Sequence, residues 1–565
     1  MKRTLFLLAV LLTAALSIHA VPAKRGVWRT ITLADGTSVK VERVGDEHFH
    51  CLQAADGTRY RYDSDTDTYC VITATEQQEA QTSARARRIR SQAYTAPRLA
   101  ADKSIFRGTK HALVILAEFT DSKFADDHNV DLYKQIVNEK NYTEKGFKGS
   151  VRDYFYAQSG GVFDLDFDVV GICPLAHELA YYGRDNEIRG RDINPGAMIV
   201  EACQWAYNNG VDFSKYDWDN DGYVEEVFVL YAGKGQADGG EDDTIWPHKY
   251  ELRNTSYGNV LTLGNVNVDV YACSCELNGE GSLCGIGTFC HEFSHCMGFP
   301  DLYDTSDGPN FGMANFDLMG SGNYNEGGYV PCGYSAYEKN ECGWITLHDV
   351  TNIDQDLNVN GLKAVSDGGD AYILKNKGHE DEYYIVENRQ KTHWDASLPA
   401  SGIMITHVDY DDRIWFYDVP NATEGKYYNA NKELCYNDHQ RLTIFHADNT
   451  DGNDDKETDL YPYGENDSLT ATSTPAATLY NTNSDGTKFM HIDIKNMAVA
   501  SDGTASLTFS KVNRGASGID EAVALQDAAT PVAYYSLEGT RLDGPRPGIC
   551  IVRYANGEAR KVYFP

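Results

Sequence analysis

From Gly285 to Asp301 the chain reads Gly-Ile-Gly-Thr-Phe-Cys-His-Glu-Phe-Ser-His-Cys-Met-Gly-Phe-Pro-Asp, and no other stretch constrains the fold as tightly. On an α-helix each residue advances by about 100°, so His291 and His295 lie about 40° apart on one face, one turn from each other. Ile286, Phe289, Phe293 and Met297 gather on roughly the opposite face, which predicts a helix whose back is packed into a core. Glu292 sits beside the histidine pair. Gly298 follows where a residue of positive φ would stop the helix and turn the chain back. The next residue able to bind a metal is Asp301. Two imidazoles and one carboxylate leave the fourth position of a tetrahedral zinc open, which is the plan of a catalytic rather than a structural site. The competing reading is an amphipathic helix with two surface histidines. The apolar back face, the glycine and Asp301 weigh against it.

The rest of the chain sets the context. Its 565 residues exceed one compact core and predict three or four folding units. A formal charge of −33 excludes nucleic acid and anionic membrane as main partners, since both repel a polyanion. Lys2 and Arg3, the apolar run from Leu5 to Leu16 and a small residue at Ala20 read as a secretory signal peptide over 1–20. That run is well short of the ~20 apolar residues a membrane span needs, and no later stretch is apolar enough, so the expected location is secreted or surface-attached. Thirteen cysteines leave at least one unpaired. Cys273, Cys275, Cys284, Cys290 and Cys296 crowd near the helix without a C-x-x-C pair, which favours disulfides or buried thiols over a structural metal.

Residues 21–75 alternate as a small β-rich unit with turns at Asp35-Gly36 and Asp56-Gly57. The following linker carries Arg85, Arg87, Arg88 and Arg90, an exposed basic stretch of the kind proteases cut. Residues 21–100 therefore read as a propeptide with a basic linker, in preference to an ordinary N-terminal domain on a basic tether. A mixed unit of strands, helices and glycine-rich loops covers 101–345 and opens on the buried-strand run Ala112–Ala117. Short strands with turn residues over 346–512 predict an all-β, sandwich-like domain. A linker over 513–527 leads to a small β tail at 528–565.

The layout His291-Glu292-Phe-Ser-His295-Cys-Met-Gly298-Phe-Pro-Asp301 resembles the immune inhibitor A family of bacterial secreted metalloproteases. Gly149-Ser-Val-Arg-Asp-Tyr-Phe, Trp246-Pro-His248, Phe316-Asp-Leu-Met319-Gly-Ser-Gly, Glu387-Asn-Arg-Gln-Lys and Trp394-Asp-Ala-Ser-Leu-Pro are similar to family segments too. The resemblance spans about 110–510. It implies a multidomain α+β protein, with a zincin-type, metzincin-like catalytic domain ahead of the β-rich domain, and a protein or peptide substrate. It implies zinc on His291, His295 and Asp301, with Glu292 as general base toward a zinc-activated water. Met319 would be the Met-turn residue beneath the metal. The tyrosine found two residues after that methionine in some metzincins is replaced by Ser321, and Tyr303, Tyr324 and Tyr329 stand as unranked substitutes. The tail, from Val532-Ala-Tyr-Tyr to Lys561-Val-Tyr-Phe, resembles sorting domains of Bacteroidota secreted proteins and implies an outer-membrane secretion machine as partner.

Two further clusters matter. Asp217, Asp219, Asp221, Tyr223 and Glu225 alternate, with Gly222 at the sixth position, as in the first half of an EF-hand loop; Phe228 stands where the bidentate glutamate belongs. A calcium site completed by Glu225, Glu226 or a distant residue is favoured over an acidic turn. In the propeptide, His48-Phe-His50-Cys51 offers zinc donors that would hold a precursor latent, but an ordinary strand is the favoured reading. Two rival functions remain. One is a calcium-dependent binding or adhesion protein with a vestigial zincin unit, which has no reason to keep all four of His291, Glu292, His295 and Asp301. The other is a cysteine protease using Cys290 or Cys296, for which a chain-adjacent His–Cys pair has poor geometry.

Overall fold

The computed structural model describes residues 21–77 except 48, 64, 65 and 74, residues 103–512 except 186–191, 307, 424 and 430, and 531–536, 541–542, 544, 546, 548–554 and 559–564. The expected signal peptide, most of the basic linker and the 513–527 linker lie outside them, as does His48.

The N-terminal segment folds as an antiparallel meander of β1 (Trp28–Thr32), β2 (Ser38–Gly45), β3 (His50–Ala54), β4 (Arg59–Asp63) and β5 (Thr68–Val71), each strand paired with the next. Gly36 and Gly57 both adopt φ of +84°, so the two Asp-Gly pairs form tight turns, as their sequence requires.

The next region is built on β6 (Gly108–Glu118), whose apolar run is buried on both faces as the centre of a sheet should be. It continues through α1 (Val130–Asn138), α2 (Val151–Gln158), β7 (Phe163–Pro174), α3 (Pro195–Asn208), β8 (Val227–Lys234), β9 (His248–Glu251), β10 (Val270–Leu277) and α4 (Gly287–Cys296). In β7 alternation does the work: Phe163, Leu165, Phe167 and Val169 turn inward between partly exposed neighbours. The sheet order is β7-β6-β8-β10-β9. The first four strands run parallel, and β9 lies antiparallel along the edge beside β10.

Beyond α4 the chain forms β11 (His348–Asp349), β12 (Leu357–Leu362), β13 (Tyr372–Asn376), β14 (His379–Arg389), β15 (Gly402–Asp409), β16 (Leu442–Ile444), β17 (Ile492–Val499) and β18 (Ala505–Lys511). These make a five-stranded sheet, β11-β13-β14-β15-β16, and a three-stranded one, β12-β18-β17. Leu374, Tyr384, Ile403, Ile405, Leu507 and Phe509 pack between them. Residue 345 is no break in the packing. Met404, Val408 and Leu442 belong to the same buried cluster as Phe311, Met313 and Phe316. Arg389 on β14, fully buried, donates to Asp395 at 2.8 Å and to the Gly333 carbonyl at 3.2 Å, tying the second region to the loops after α4.

The tail is a separate compact unit of four antiparallel strands, β19 (Pro531–Tyr535), β20 (Arg541–Leu542), β21 (Gly548–Tyr554) and β22 (Ala559–Phe564), ordered β20-β19-β21-β22. Among the described residues no helix is long and apolar enough to cross a membrane.

Candidate active site

Helix α4 lies where the sequence predicts, and it is buried along almost its whole length. Its back packs as expected: Phe289 stacks on Phe228 with ring centroids 3.7 Å apart, and Phe293 meets Phe155 and Phe167. Gly287 is required by a close approach, since a Cβ there would meet the Asn323 carbonyl oxygen at 1.8 Å. Gly298 takes φ of +105° and turns the chain, its N–H bonding to the His295 carbonyl at 3.0 Å.

The turn brings Asp301 under the helix. His291 Nε2 and His295 Nε2 stand 3.0 Å apart, and Asp301 Oδ1 lies 3.2 and 3.3 Å from them. Tetrahedral zinc with bonds of about 2.1 Å needs ligand atoms about 3.4 Å apart, so this triangle fits the ion. The tautomers fit as well. His291 Nδ1 donates to the Leu318 carbonyl at 2.8 Å and His295 Nδ1 to the Phe299 carbonyl at 2.7 Å, which leaves each Nε2 lone pair facing its partners. Burial works against charge on Asp301, yet His295 and His291 beside it hold its carboxyl below the ordinary range. Met319 is fully buried next to Leu318, and its carbonyl accepts the Leu302 N–H at 2.8 Å, which ties its loop to the one that carries Asp301.

Glu292 is fully buried, and burial pushes its carboxyl well up, offset in part by main-chain N–H groups of Val21 and Lys249. The Val21 N–H donates to Glu292 Oε1 at 2.9 Å. The irregular N-terminal segment ahead of β1 thus enters the site itself. Trp246 Nε1 donates to the Val21 carbonyl at 3.0 Å, and the Tyr324 hydroxyl donates to the Pro22 carbonyl at 2.7 Å. Lys24 pairs with Asp238 at 2.9 Å. Farther out, Arg43 and Arg29 of the meander both reach Asp242.

Of the donors proposed for latency, His50 pairs with Asp185 at 3.0 Å and stacks on Trp246, while Cys51 is buried with Val44, Phe49 and Ile72. Neither belongs to the metal cluster; a backbone N–H reaches the site instead. Of the three tyrosines, Tyr324 faces this segment, and the Tyr329 hydroxyl bonds to the Leu283 carbonyl. A second group unmarked by any motif braces Asp301: Asp418 Oδ1 accepts the Asp301 N–H at 2.9 Å, and its carbonyl accepts the Thr305 hydroxyl. Backbone donors and long-range braces leave no residue-type signature, and Trp246 and Tyr324 were visible only as members of a quoted segment and an unranked set.

At the acidic loop, Asp217, Asp219 and Glu225 bring one carboxylate oxygen each to within 4.8 Å of one another. Asp221 is not in this group; its carboxylate caps the Tyr223 N–H at 2.8 Å, while its own N–H bonds to Asp217 and Asp219. Burial pushes the Glu225 carboxyl up to about 7. Glu226 is not in this group either and is 3% exposed. Every cysteine among those whose side chains are described is a free thiol. Burial raises the Cys290 and Cys296 thiols well above their ordinary range, which disfavours the thiolate that a cysteine protease uses.

Residues 106–345 match the family described as immune inhibitor A peptidase M6, catalytic domain. Among curated proteins the chain is similar to the pre-pro-metalloprotease PrtV of Vibrio cholerae, 24% identical over 303 residues that cover 45% of this chain and 32% of that protein. It is also similar to immune inhibitor A of Bacillus thuringiensis subsp. alesti, 26% identical over 230 residues, 34% of this chain and 33% of that protein. These alignments span about a third of the length of each curated relative. The region that carries the site is thus similar to a metallopeptidase catalytic domain.

Proposed function

We propose that the protein is a secreted, zinc-dependent metalloendopeptidase that hydrolyses peptide bonds of protein substrates. The observation that carries this reading is the convergence of His291, His295 and Asp301, at spacings that suit zinc, beside the buried carboxylate of Glu292. Zinc, when bound, supplies a Lewis acid that polarises the scissile carbonyl and acidifies a water. Glu292 takes the proton from the attacking water and delivers it to the departing amine. The low-dielectric pocket around its side chain excludes competing solvent, and the Leu318 and Phe299 carbonyls fix both imidazoles in the ligating tautomer.

The chain also reads as a zymogen. With the signal peptide removed after Ala20, the Val21 nitrogen is an α-ammonium lying against Glu292, which blocks the base and fills the cleft. Cutting in the Arg-rich linker releases it. The acidic loop reads as a calcium site on Asp217, Asp219 and Glu225, with the Tyr223 carbonyl as a further oxygen, and the tail as an address for an outer-membrane secretion machine. The deciding experiment is casein hydrolysis by the linker-cut protein, with and without o-phenanthroline, alongside Glu292→Gln. Activity is expected to vanish in both. Activity that survives both overturns the zinc mechanism, and a zinc-loaded, cut protein without any hydrolysis favours the adhesion reading with a vestigial site.

A further inference from the structure

The way the N-terminal segment lies in the cleft carries more than inhibition. In peptide hydrolysis the nitrogen that departs belongs to the residue just after the broken bond, and the general base must reach that nitrogen to protonate it. The Val21 nitrogen stands 2.9 Å from Glu292 Oε1. Val21 therefore occupies the place of the first residue on the leaving side, and Pro22 the second. Each of their carbonyls meets a side-chain donor of the catalytic region: Trp246 Nε1 at 3.0 Å for Val21 and the Tyr324 hydroxyl at 2.7 Å for Pro22. From Ala23 onward the character changes. The Ala23 N–H turns to the Gly45 carbonyl of its own meander. The Lys24 N–H returns to the Ala237 carbonyl at 2.8 Å, while Val21 and Pro22 are the pair whose carbonyls meet side-chain donors. The Val21 side chain is fully buried among Ala23, Ala237 and Trp246, with Tyr324 packed against them.

Among the described residues, the Val21 and Pro22 carbonyls are the acceptors these two donors meet. Trp246 is 1% exposed, and a buried indole N–H needs an acceptor. That exposure holds with Val21, Ala23 and the His50 ring packed on it; once the segment leaves, both donors face the open cleft beside Glu292, placed to receive a peptide carbonyl. We infer that Trp246 and Tyr324 bind substrate, receiving the carbonyls of the first and second residues on the leaving side of the scissile bond. In the same register, the space filled by Val21 takes an uncharged aliphatic side chain. This assignment rests on the endopeptidase reading and sets the register in which that site holds its peptide.

Both contacts exist before the bond breaks, so losing them raises KM and not the chemical barrier. In the full chain cut at its linker, Trp246→Phe and Tyr324→Phe are each expected to raise KM about five- to tenfold. The peptide length discriminates. A substrate ending one residue after the bond, as its amide, has no second carbonyl, so the Tyr324→Phe loss should be confined to substrates one residue longer. Equal losses for both lengths would mean that Tyr324 acts through packing and would overturn its assignment. Calorimetry with Val-Pro-Ala-Lys-amide reads the same contacts without turnover and should show about five- to tenfold weaker binding in each variant. Weakened peptide binding in a chain that never hydrolyses casein would sink the enzyme reading and leave the register standing. Active enzyme whose peptide affinity is unmoved by either variant would sink the register alone.

Discussion

The main-chain nitrogen of Val21 lies 2.9 Å from Oε1 of Glu292, although 271 positions separate them in the chain. The contact joins the first described residue to the proposed general base, so a variant at Glu292 bears on both the proposed chemistry and the proposed latency. Glu292→Gln keeps the size and burial of the side chain but cannot carry the proton. We expect kcat to fall by about 10²- to 10⁴-fold, with one zinc per chain still bound by elemental analysis. Loss of the metal with the activity would mean that the residue is a ligand.

Asp418 lies 117 residues beyond Asp301 and accepts its N–H. Asp418→Ala frees the loop that presents the third ligand. Zinc affinity, measured by competition with a chromogenic chelator, should fall by about 10- to 100-fold, and activity should return as zinc is raised.

The acidic loop is expected to bind calcium in a pH-dependent way. Glu225 has its carboxyl raised to about 7 by burial, so below that pH it holds a proton and cannot ligate. Calcium affinity should climb as pH rises through about 7 and level off above it. Asp219→Ala should abolish the binding at every pH; a titration that is flat from pH 5 to 9 would rule Glu225 out as a ligand.

Docking of the N-terminal meander should resist mild acid. Burial disfavours charge on Asp242, but Arg43 and Arg29 outweigh it and hold the carboxyl at about 2. A depressed carboxyl contributes its full stabilisation above its ordinary value of about 4 and loses it as pH falls through about 2. The precursor should therefore stay latent at pH 4. Asp242→Asn should speed its activation by trypsin about tenfold at neutral pH, whereas Cys51→Ala should leave latency unchanged because that thiol lies in the meander's own core.

Much of the site was legible in the sequence because helical spacing is rigid. Once His291 and His295 share a face and Gly298 ends the helix, few positions remain for a third ligand, and Asp301 is the first that can reach. The long apolar strand at Ala112–Ala117 and the Asp-Gly turns were legible for the same reason: local sterics decide them. The contacts made across hundreds of residues were not. Nothing in Val21, Trp246 or Asp418 taken singly distinguishes a cleft-filling segment, its clamp or a ligand brace from ordinary packing. The acidic loop was half legible, since alternation marks the donors but not that Asp221 would turn its carboxylate to its own backbone.

The buried cluster that runs without interruption past residue 345 has a practical corollary. A minimal enzyme trimmed to the family-matched stretch of 106–345 would lose the β14 and β15 side chains that cover its interior, together with Asp418. Such a fragment should be insoluble or zinc-poor however intact its histidines, and recombinant work should treat 103–512 as the smallest piece worth making.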